Sequence, residues 1–258
     1  MSRTELNIGI KTPKITPCYR QSIVVFLDVL GFKDRIKTAK TKDEVKNIFD
    51  ILTYINMWNT GDGLNMFIEE KDFCYESYLL NKNIDYSKIK SELNISYFSD
   101  SLVVTLPYDE AEFNNKLFLI IRSTAYLISK LAMVNFFIRG GISIGKMFHE
   151  DNVFFGPAFL SAYDLEEKNA HYPRVVLSSE LDSKLNNFSP PIPYLVKAQD
   201  GLTQIDLKSF INNFINYSKF SSPIAFEPII NNVNDNIVLN QNNFDIKAKY
   251  EWLKSQLK

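Results

Sequence analysis

The sequence has few residues that could hold a metal through sulfur or imidazole. Its 258 residues include two cysteines, Cys18 and Cys74, and two histidines. A structural zinc site needs four nitrogen or sulfur ligands, commonly in paired spacing, and this chain has no such pairs. The isolated cysteines are typical of a protein with reduced thiols. A structural zinc site is therefore excluded as the organising feature of the fold.

The sequence also lacks an excess of glycine, of charge of one sign, and of apolar residues near its start. Nine glycines argue against a solenoid or a flexible linker architecture. A net charge of −1 gives no global electrostatic reason to bind nucleic acid or an anionic membrane, so neither partner is predicted. Residues 1–20 have no apolar signal-peptide core, which predicts a cytoplasmic protein.

One long apolar stretch, residues 117–138, calls for a membrane test. Arg122 and Lys130 lie within it. Each would cost about 2.5–3.5 kcal/mol at the centre of a bilayer. The stretch is therefore predicted to be a buried helix that continues into a strand.

The overall composition is that of a soluble globular protein with an aromatic core. Apolar residues make up 45% of the chain and charged residues 23%, and there are 20 Phe and 13 Tyr. No clean internal boundary is visible. We predict an N-terminal arm at 1–20, a main domain at 21–190, and an extension at 191–258 that packs on the same domain.

The hydrophobic pattern predicts an α+β protein. The expected order is strand, helix, hairpin, helix, strands, helix, strand, which is typical of an elaborated ferredoxin-like fold with a mixed sheet flanked by helices. Strands are predicted at 23–28, 94–106 (a hairpin), 136–145, 153–155 and 174–177, and helices at 41–58, 112–130, 157–168, 179–187 and 250–257. Residues 59–92 are predicted to be an irregular connection.

Two aspartates stand where strands end. Asp28 closes a buried strand and is followed by a turn containing Gly31, and Asp100 lies in the hairpin turn. If these strands are neighbours, the two carboxylates meet and suit Mg²⁺ or Mn²⁺, which takes one or two carboxylates plus substrate phosphates. The amides of Leu30, Gly31 and Phe32 would hold phosphate oxygens. On pattern alone, ordinary turn and capping roles stay open.

Four segments in this order resemble the class III nucleotide cyclases: FLDVLGF at 26–32, FSDS at 98–101, RGGISIG at 139–145 and FFGPAFLSAYDLE at 154–166. They span roughly residues 23–178. The sequence is most similar to the pyrimidine nucleotide cyclases of bacterial Pycsar anti-phage defence. The GPA-x-x-x-A-Y-x-LE pattern of the fourth segment, the YPR at 172–174 and the YEWL at 250–253 fit that group.

The resemblance implies the class III cyclase fold with a C-terminal extension, and a homodimer with composite active sites. It implies two Mn²⁺ or Mg²⁺ ions per site and conversion of a nucleoside triphosphate to its 3′,5′-cyclic monophosphate and pyrophosphate. A separate effector protein would respond to this second messenger. Asp28 and Asp100 match the metal-binding aspartates, and Val29 matches the residue whose carbonyl completes the metal shell. Leu30, Gly31 and Phe32 match the turn that grips the phosphates, and Phe26 and Tyr97 are further candidates for the nucleotide pocket, Tyr97 by stacking on the base.

The departures from the family pattern concern the base and the transition state. Ser96 and Val153 stand where purine cyclases place the residues that read the base, which favours a pyrimidine such as uracil or cytosine. Leu160 and Asp164 stand where the family places a catalytic Asn and Arg.

Arg139 and Arg174 are the candidates to replace the missing cation, because a guanidinium can hold phosphate oxygens with two hydrogen bonds. Three alternatives stay open: a degenerate cyclase-like module that binds a nucleotide without turnover, a purine cyclase, and a palm-type nucleotidyl transferase. The last is disfavoured by the absence of a GGDEF-like segment.

The remaining polar residues considered are predicted to be solvent-exposed and to have no part in a site. His149 lies in a polar segment, HEDN, and is expected to be a solvated loop residue. The acidic residues Asp164, Glu166 and Glu167 are expected to form the solvated face of a helix.

Overall fold

The chain is described here by a computed structural model that covers residues 17–59, 86–186, 188, 191–217 and 224–258. The strands are β1 Arg20–Val29, β2 Asn94–Phe98, β3 Ser101–Pro107, β4 Ile138–Glu150, β5 Val153–Phe155, β6 Val175–Leu177, β7 Leu195–Lys197 and β8 Thr203–Ile205. The helices are α1 Phe32–Thr38, α2 Lys42–Asn59, α3 Tyr86–Glu92, α4 Phe113–Met133, α5 Pro157–Lys168, α6 Ser179–Leu185, α7 Leu207–Tyr217, α8 Phe226–Leu239 and α9 Phe244–Leu257. Most of the irregular connection predicted at 59–92 lies outside the described residues, and its end forms α3.

The strands form one mixed sheet in the order β2-β3-β1-β4-β6-β8-β7, with β5 paired to the far end of β4. β4 and β6 run parallel, and the other neighbours run antiparallel. The predicted mixed sheet flanked by helices is confirmed. β1 is central, and its Asp28 lies opposite Ser101 of β3 on one side and Arg139 of β4 on the other.

The alternation of side chains along β1 assigns its residues to two cores. Ile23, Val25 and Leu27 belong to the main core, together with the apolar residues of α4. Val24 and Phe26 point to the opposite face, where they pack with residues of α5. Because successive side chains in a strand alternate between faces, Asp28 lies on the α5 face of the sheet.

The apolar stretch tested for membrane insertion forms the buried helix α4 and then leads into β4, as predicted. Lys116 of α4 is buried, and its ammonium group lies 2.6 Å from both Glu92 and Glu112 and donates to the Pro107 carbonyl at 2.8 Å. Among the helices of the described residues, none combines the length and the apolarity that a membrane crossing requires.

Helix α5 lies unusually close to β4. A Cβ atom at Gly141 would stand 2.3 Å from the carbonyl oxygen of Ala162, far inside van der Waals contact. Gly141 is the second of two consecutive glycines in β4, and its lack of a side chain permits this close backbone approach. Only a glycine allows this approach, which brings Glu166, one turn after Ala162, next to the start of β4.

The C-terminal residues share the sheet and the core with the rest of the chain. β7 and β8 extend the sheet, and α8 packs on α4. The Asn232 amide donates to the carbonyls of Ala132 and Met133 at 2.9 and 3.0 Å, at the end of α4 where carbonyls lack helical partners. Helix α9 begins at Phe244, six residues before the predicted start, because Asn243 caps it by accepting from the Ile246 amide.

Candidate active site

Asp28 lies at the end of β1 with both carboxylate oxygens engaged. Oδ1 accepts from the Ser101 hydroxyl at 3.2 Å. Oδ2 accepts from Nε and Nη2 of Arg139 at 3.2 and 3.1 Å. Ser101 and Arg139 each lie opposite Asp28 on the strands that flank β1, so antiparallel pairing itself brings both to this carboxylate.

Asp100 reaches the same edge of the sheet through the hairpin turn. Ser99 adopts a left-handed conformation with φ 53° in the turn that places Asp100 after β2. The Val29 amide donates to the Asp100 carbonyl at 3.2 Å and ties this turn to the end of β1. Burial raises the pKa of Asp28 above its ordinary value, and the negative charge of Asp100 raises it further. The hairpin turn therefore brings Asp100 to the end of the sheet at which Asp28 lies.

Arg139 is shared between two carboxylates. Besides its hydrogen bonds to Asp28, its Nε lies 2.6 Å from Oε1 of Glu166 on α5. Glu166 is 4% exposed, and its Oε1 accepts no hydrogen bond within the described residues. Burial raises the pKa of Glu166 to about 7, against the opposing effect of the Arg139 charge.

The prediction that the acidic run on α5 is solvated is wrong for Glu166. Glu166 follows Ala158 and Ala162 at intervals of four residues and shares their buried face. Asp164 and Glu167 are exposed, as predicted. The four-residue spacing of two small residues and a carboxylate was the signal in the sequence that pointed to this buried position.

The turn after β1 offers fewer free amides than the resemblance implies. The Leu30 amide donates to the Phe137 carbonyl at 2.8 Å, so it belongs to the sheet. Gly31 has a left-handed φ of 74°, and its carbonyl accepts from the Asp34 and Arg35 amides to start α1. In the part of the chain that the structure describes, the amides of Gly31 and Phe32 have no hydrogen-bond acceptor. Of the three amides singled out in the sequence, those of Gly31 and Phe32 remain candidates for holding a phosphate.

The two aromatic candidates for the nucleotide pocket lie on different faces. Phe26 is buried beneath α5 in edge-to-face contact with Phe159 and Tyr163, at ring distances of 6.0 and 5.3 Å. Tyr97 packs against the main core, on the side of the sheet opposite Asp28. Its neighbour Phe98 pairs with Ser101 and is 46% exposed. By strand alternation Phe98 lies on the face of Asp28, so it is a pocket candidate that the sequence reasoning missed.

The prediction that His149 is a solvated loop residue is wrong. His149 lies in β4, and its Nδ1 and Nε2 are 2.7 and 2.8 Å from the hydroxyls of Thr105 and Ser96. The Ser96 hydroxyl donates to the Asp151 carbonyl, so it accepts from Nε2–H, and the Thr105 hydroxyl donates to Nδ1. Burial lowers the pKa of His149 to about 4 and keeps the imidazole neutral.

This neutral imidazole predicts a pH dependence of stability. The unfolded chain binds a proton on His149 below its ordinary pKa of 6.5, whereas the fold resists it down to about 4. The contribution of the neutral His149 imidazole to the unfolding free energy is therefore complete above pH 6.5 and is lost as the pH falls towards 4. We expect wild-type protein to lose about 1–3 kcal/mol more unfolding free energy than His149→Gln between pH 7 and 4.5. Urea unfolding at several pH values measures this difference.

The exposed His171 provides the matched control, since His171→Gln removes an imidazole without touching this network. It should follow the wild-type pH profile. A His149→Gln profile parallel to that of wild type would show that His149 is not held neutral by the fold.

Arg174 lies apart from Asp28. Its guanidinium donates to Asp200, to the Asn169 carbonyl at 2.8 Å and to the Gln204 amide oxygen at 3.2 Å. It lies over the Trp252 ring at 5.8 Å, beside a cavity of about 390 Å³. The Tyr172 ring stacks on Trp252 at 4.8 Å, so the YPR and YEWL segments meet here. Of the two candidate arginines, Arg139 is the one that the described contacts bring to Asp28.

The donor set at Asp28 and Asp100 fits a hard divalent cation. Within the described ranges, no group of three or more His, Cys, Asp or Glu side chains could hold a metal. A pair of carboxylates is nevertheless the usual protein contribution to a Mg²⁺ or Mn²⁺ site whose other ligands are waters and substrate phosphates. In the described structure the guanidinium of Arg139 occupies Oδ2 of Asp28 and balances the charge of this carboxylate.

Comparisons with known proteins give structural similarity at low sequence identity. The adenylyl cyclase CyaB from P. aeruginosa has 14% identity and a TM-score of 0.48, over 74% of this chain and 94% of its own. The guanylyl cyclase Cya2 has 11% identity and a TM-score of 0.45, over 82% and 100%. A class III adenylyl cyclase-like ATP-binding protein from Pseudomonas aeruginosa has 12% identity and a TM-score of 0.48, over 81% of this chain and 43% of its own.

No protein-family model matches the sequence, and no curated protein matches it.

Proposed function

We propose that this protein is a metal-dependent nucleotide cyclase that converts a pyrimidine nucleoside triphosphate to its 3′,5′-cyclic monophosphate and pyrophosphate. The observation that supports it most directly is the meeting of Asp28 and Asp100 at the end of β1. Burial raises the pKa of Asp28 and the negative charge of Asp100 raises it further, so a divalent cation between the two carboxylates would be favourable. The sequence resemblance to class III cyclases supplies the reaction.

In the proposed reaction, a bond forms between the ribose 3′-oxygen and the α-phosphorus. The bond from that phosphorus to the oxygen bridging to the β-phosphate breaks, the hydroxyl proton is released, and pyrophosphate leaves. Two bound Mg²⁺ or Mn²⁺ ions would activate the hydroxyl and neutralise the leaving pyrophosphate.

Each residue of this site has a separate part in the proposal. Asp28 and Asp100 would hold the ions, and by the resemblance the Val29 carbonyl would add a ligand. The amides of Gly31 and Phe32 hold phosphate oxygens. Arg139 is the proposed cation for the transition state.

A pyrimidine base is proposed because the positions at which purine cyclases read the base carry no purine-reading groups here. Ser96 is buried, and its hydroxyl is committed to His149 and Asp151. Val153 is 60% exposed and apolar. The exposed ring of Phe98 stacks on Phe154 at 6.2 Å and offers a flat surface near Asp28. The choice between UTP and CTP is left to the assay.

The active form is proposed to be a cytoplasmic homodimer with composite sites. Exposed apolar side chains gather on β5, on α5 and before β1, which supports a partner surface there: Tyr19, Val153, Phe155, Leu160 and Tyr163. Tyr19 and Phe155 already contact edge to face at 5.9 Å. The cyclic product would act as a second messenger in anti-phage defence, through a separate effector protein.

The proposal is tested by incubating the purified protein with Mn²⁺ and ATP, GTP, CTP or UTP separately, and identifying the products by mass spectrometry. A cyclic pyrimidine monophosphate is expected. A cyclic purine would keep the site and overturn the base assignment. Binding of a triphosphate without any product would favour the degenerate module, which the exposed Leu160 and Asp164 at the usual Asn and Arg positions support.

A further inference from the structure

Arg139 lies between two carboxylates that differ in their surroundings. Asp28 is at the open end of β1, and Glu166 is buried on α5. Resting on the proposed function, we propose that Glu166 is a positioning residue that takes over Arg139 when a divalent cation binds Asp28. Arg139 would thus close the empty metal site by pairing with Asp28, and its pairing with Glu166 would stabilise the filled site.

Arg139 has to change its partner from Asp28 to Glu166 because the Asp28 carboxylate is already engaged. Both of its oxygens already accept hydrogen bonds, Oδ2 from two nitrogens of Arg139. A divalent cation at this carboxylate would lie within a few ångströms of the guanidinium, and like charges at that distance repel strongly. Arg139 must therefore withdraw from Asp28 for the cation to bind.

Glu166 is placed to receive the guanidinium without any large movement. Its Oε1 is already 2.6 Å from Nε of Arg139, yet it accepts no hydrogen bond within the described residues. A small rotation of the guanidinium would convert this ion pair into a hydrogen-bonded one. Helix α5 is held against β4 by the close approach at Gly141, so Glu166 stays in place during the exchange.

Without Glu166, Arg139 has no second carboxylate to pair with when it leaves Asp28. Arg139 is about three quarters buried, with 28% of its side chain exposed. Removing a guanidinium from its carboxylate in such a site leaves a charge with little hydration, which is unfavourable. In Glu166→Gln, Arg139 stays with Asp28 and competes with the metal.

Mn²⁺ binding measured by electron paramagnetic resonance of the free ion tests this, independently of turnover. We expect Glu166→Gln to raise the Kd for Mn²⁺ by about 5- to 20-fold, as a shift in a two-state equilibrium. Glu167→Gln is the matched control, because it makes the same change of charge on the same helix at an exposed position. It should change the Kd by less than about twofold.

A double variant separates the exchange from a general charge effect. In an Arg139→Gln background no guanidinium can move from Asp28 to Glu166. Adding Glu166→Gln should therefore leave the Kd for Mn²⁺ within about twofold of that of Arg139→Gln alone. A loss as large as in the wild-type background would overturn the inference, and so would a wild-type Kd in the single Glu166→Gln variant. Wild-type protein that binds no Mn²⁺ would instead overturn the proposed function, and the inference with it.

Discussion

Replacing Asp28 by asparagine is expected to reduce cyclic nucleotide formation by at least about 1000-fold while the protein stays folded. The amide keeps the shape of the side chain but cannot supply the negative charge that a divalent cation requires. The same change at Asp100 should give a similar loss. The double variant should lose little more than either single one, because residues that act on the same ion are not additive.

The stability of Asp28→Asn distinguishes a functional carboxylate from a structural one. Burial and the charge of Asp100 raise the pKa of Asp28, so the ionised carboxylate is held in the fold at some cost above its ordinary pKa. Asparagine removes that cost, although it also weakens the bond to Arg139. We expect an unfolding free energy within about 1 kcal/mol of wild type at pH 8. A large loss of activity without a large loss of stability is typical of a functional carboxylate.

Asp164→Asn is the matched control for these variants. Asp164 is exposed on α5, where it pairs only with Lys168 in the described structure. It should keep wild-type turnover and Mn²⁺ affinity. Turnover by Asp28→Asn or Asp100→Asn that stayed metal-dependent and near wild type would show that the carboxylates are structural turn residues.

The parts of the fold that the sequence predicted are those encoded by neighbours in the chain. The predicted helix α2 begins with a capping box, in which the Thr41 hydroxyl accepts from the Glu44 amide at 3.2 Å and the Glu44 carboxylate accepts from the Thr41 amide at 2.9 Å. The hairpin turn at Asp100 and the proline at the start of α5 are equally local. Asp28 and Asp100 were found because each ends a recognisable apolar strand.

The parts that the sequence did not predict depend on which face a side chain takes. A shift of one residue along β2 separates Tyr97 in the main core from Phe98 on the face of Asp28. His149 looked solvated because its hydroxyl partners are 44 and 53 residues away in the chain. Glu166 is buried because Gly141 lets α5 approach β4, and this close approach depends on the sheet and not on the helix sequence.

Arg139→Ala is expected to give opposite effects on metal binding and turnover. Removing the guanidinium frees Oδ2 of Asp28, so the Kd for Mn²⁺ should fall or stay the same. Turnover should nevertheless fall by at least about 100-fold, because the proposed transition state loses its cation, while triphosphate binding falls much less. Turnover and Mn²⁺ titration on the same preparation measure both effects.

Arg174→Ala distinguishes Arg139 from the other candidate cation. The Arg174 guanidinium is engaged by Asp200, Asn169 and Gln204, so its loss leaves the buried Gln204 side chain without this partner. We expect a destabilisation of about 1–3 kcal/mol and a turnover per folded molecule within about fivefold of wild type. If Arg174→Ala lost turnover and kept its stability while Arg139→Ala stayed active, the catalytic cation would be Arg174. The contact between Arg139 and Asp28 would then serve only to balance charge in the empty site.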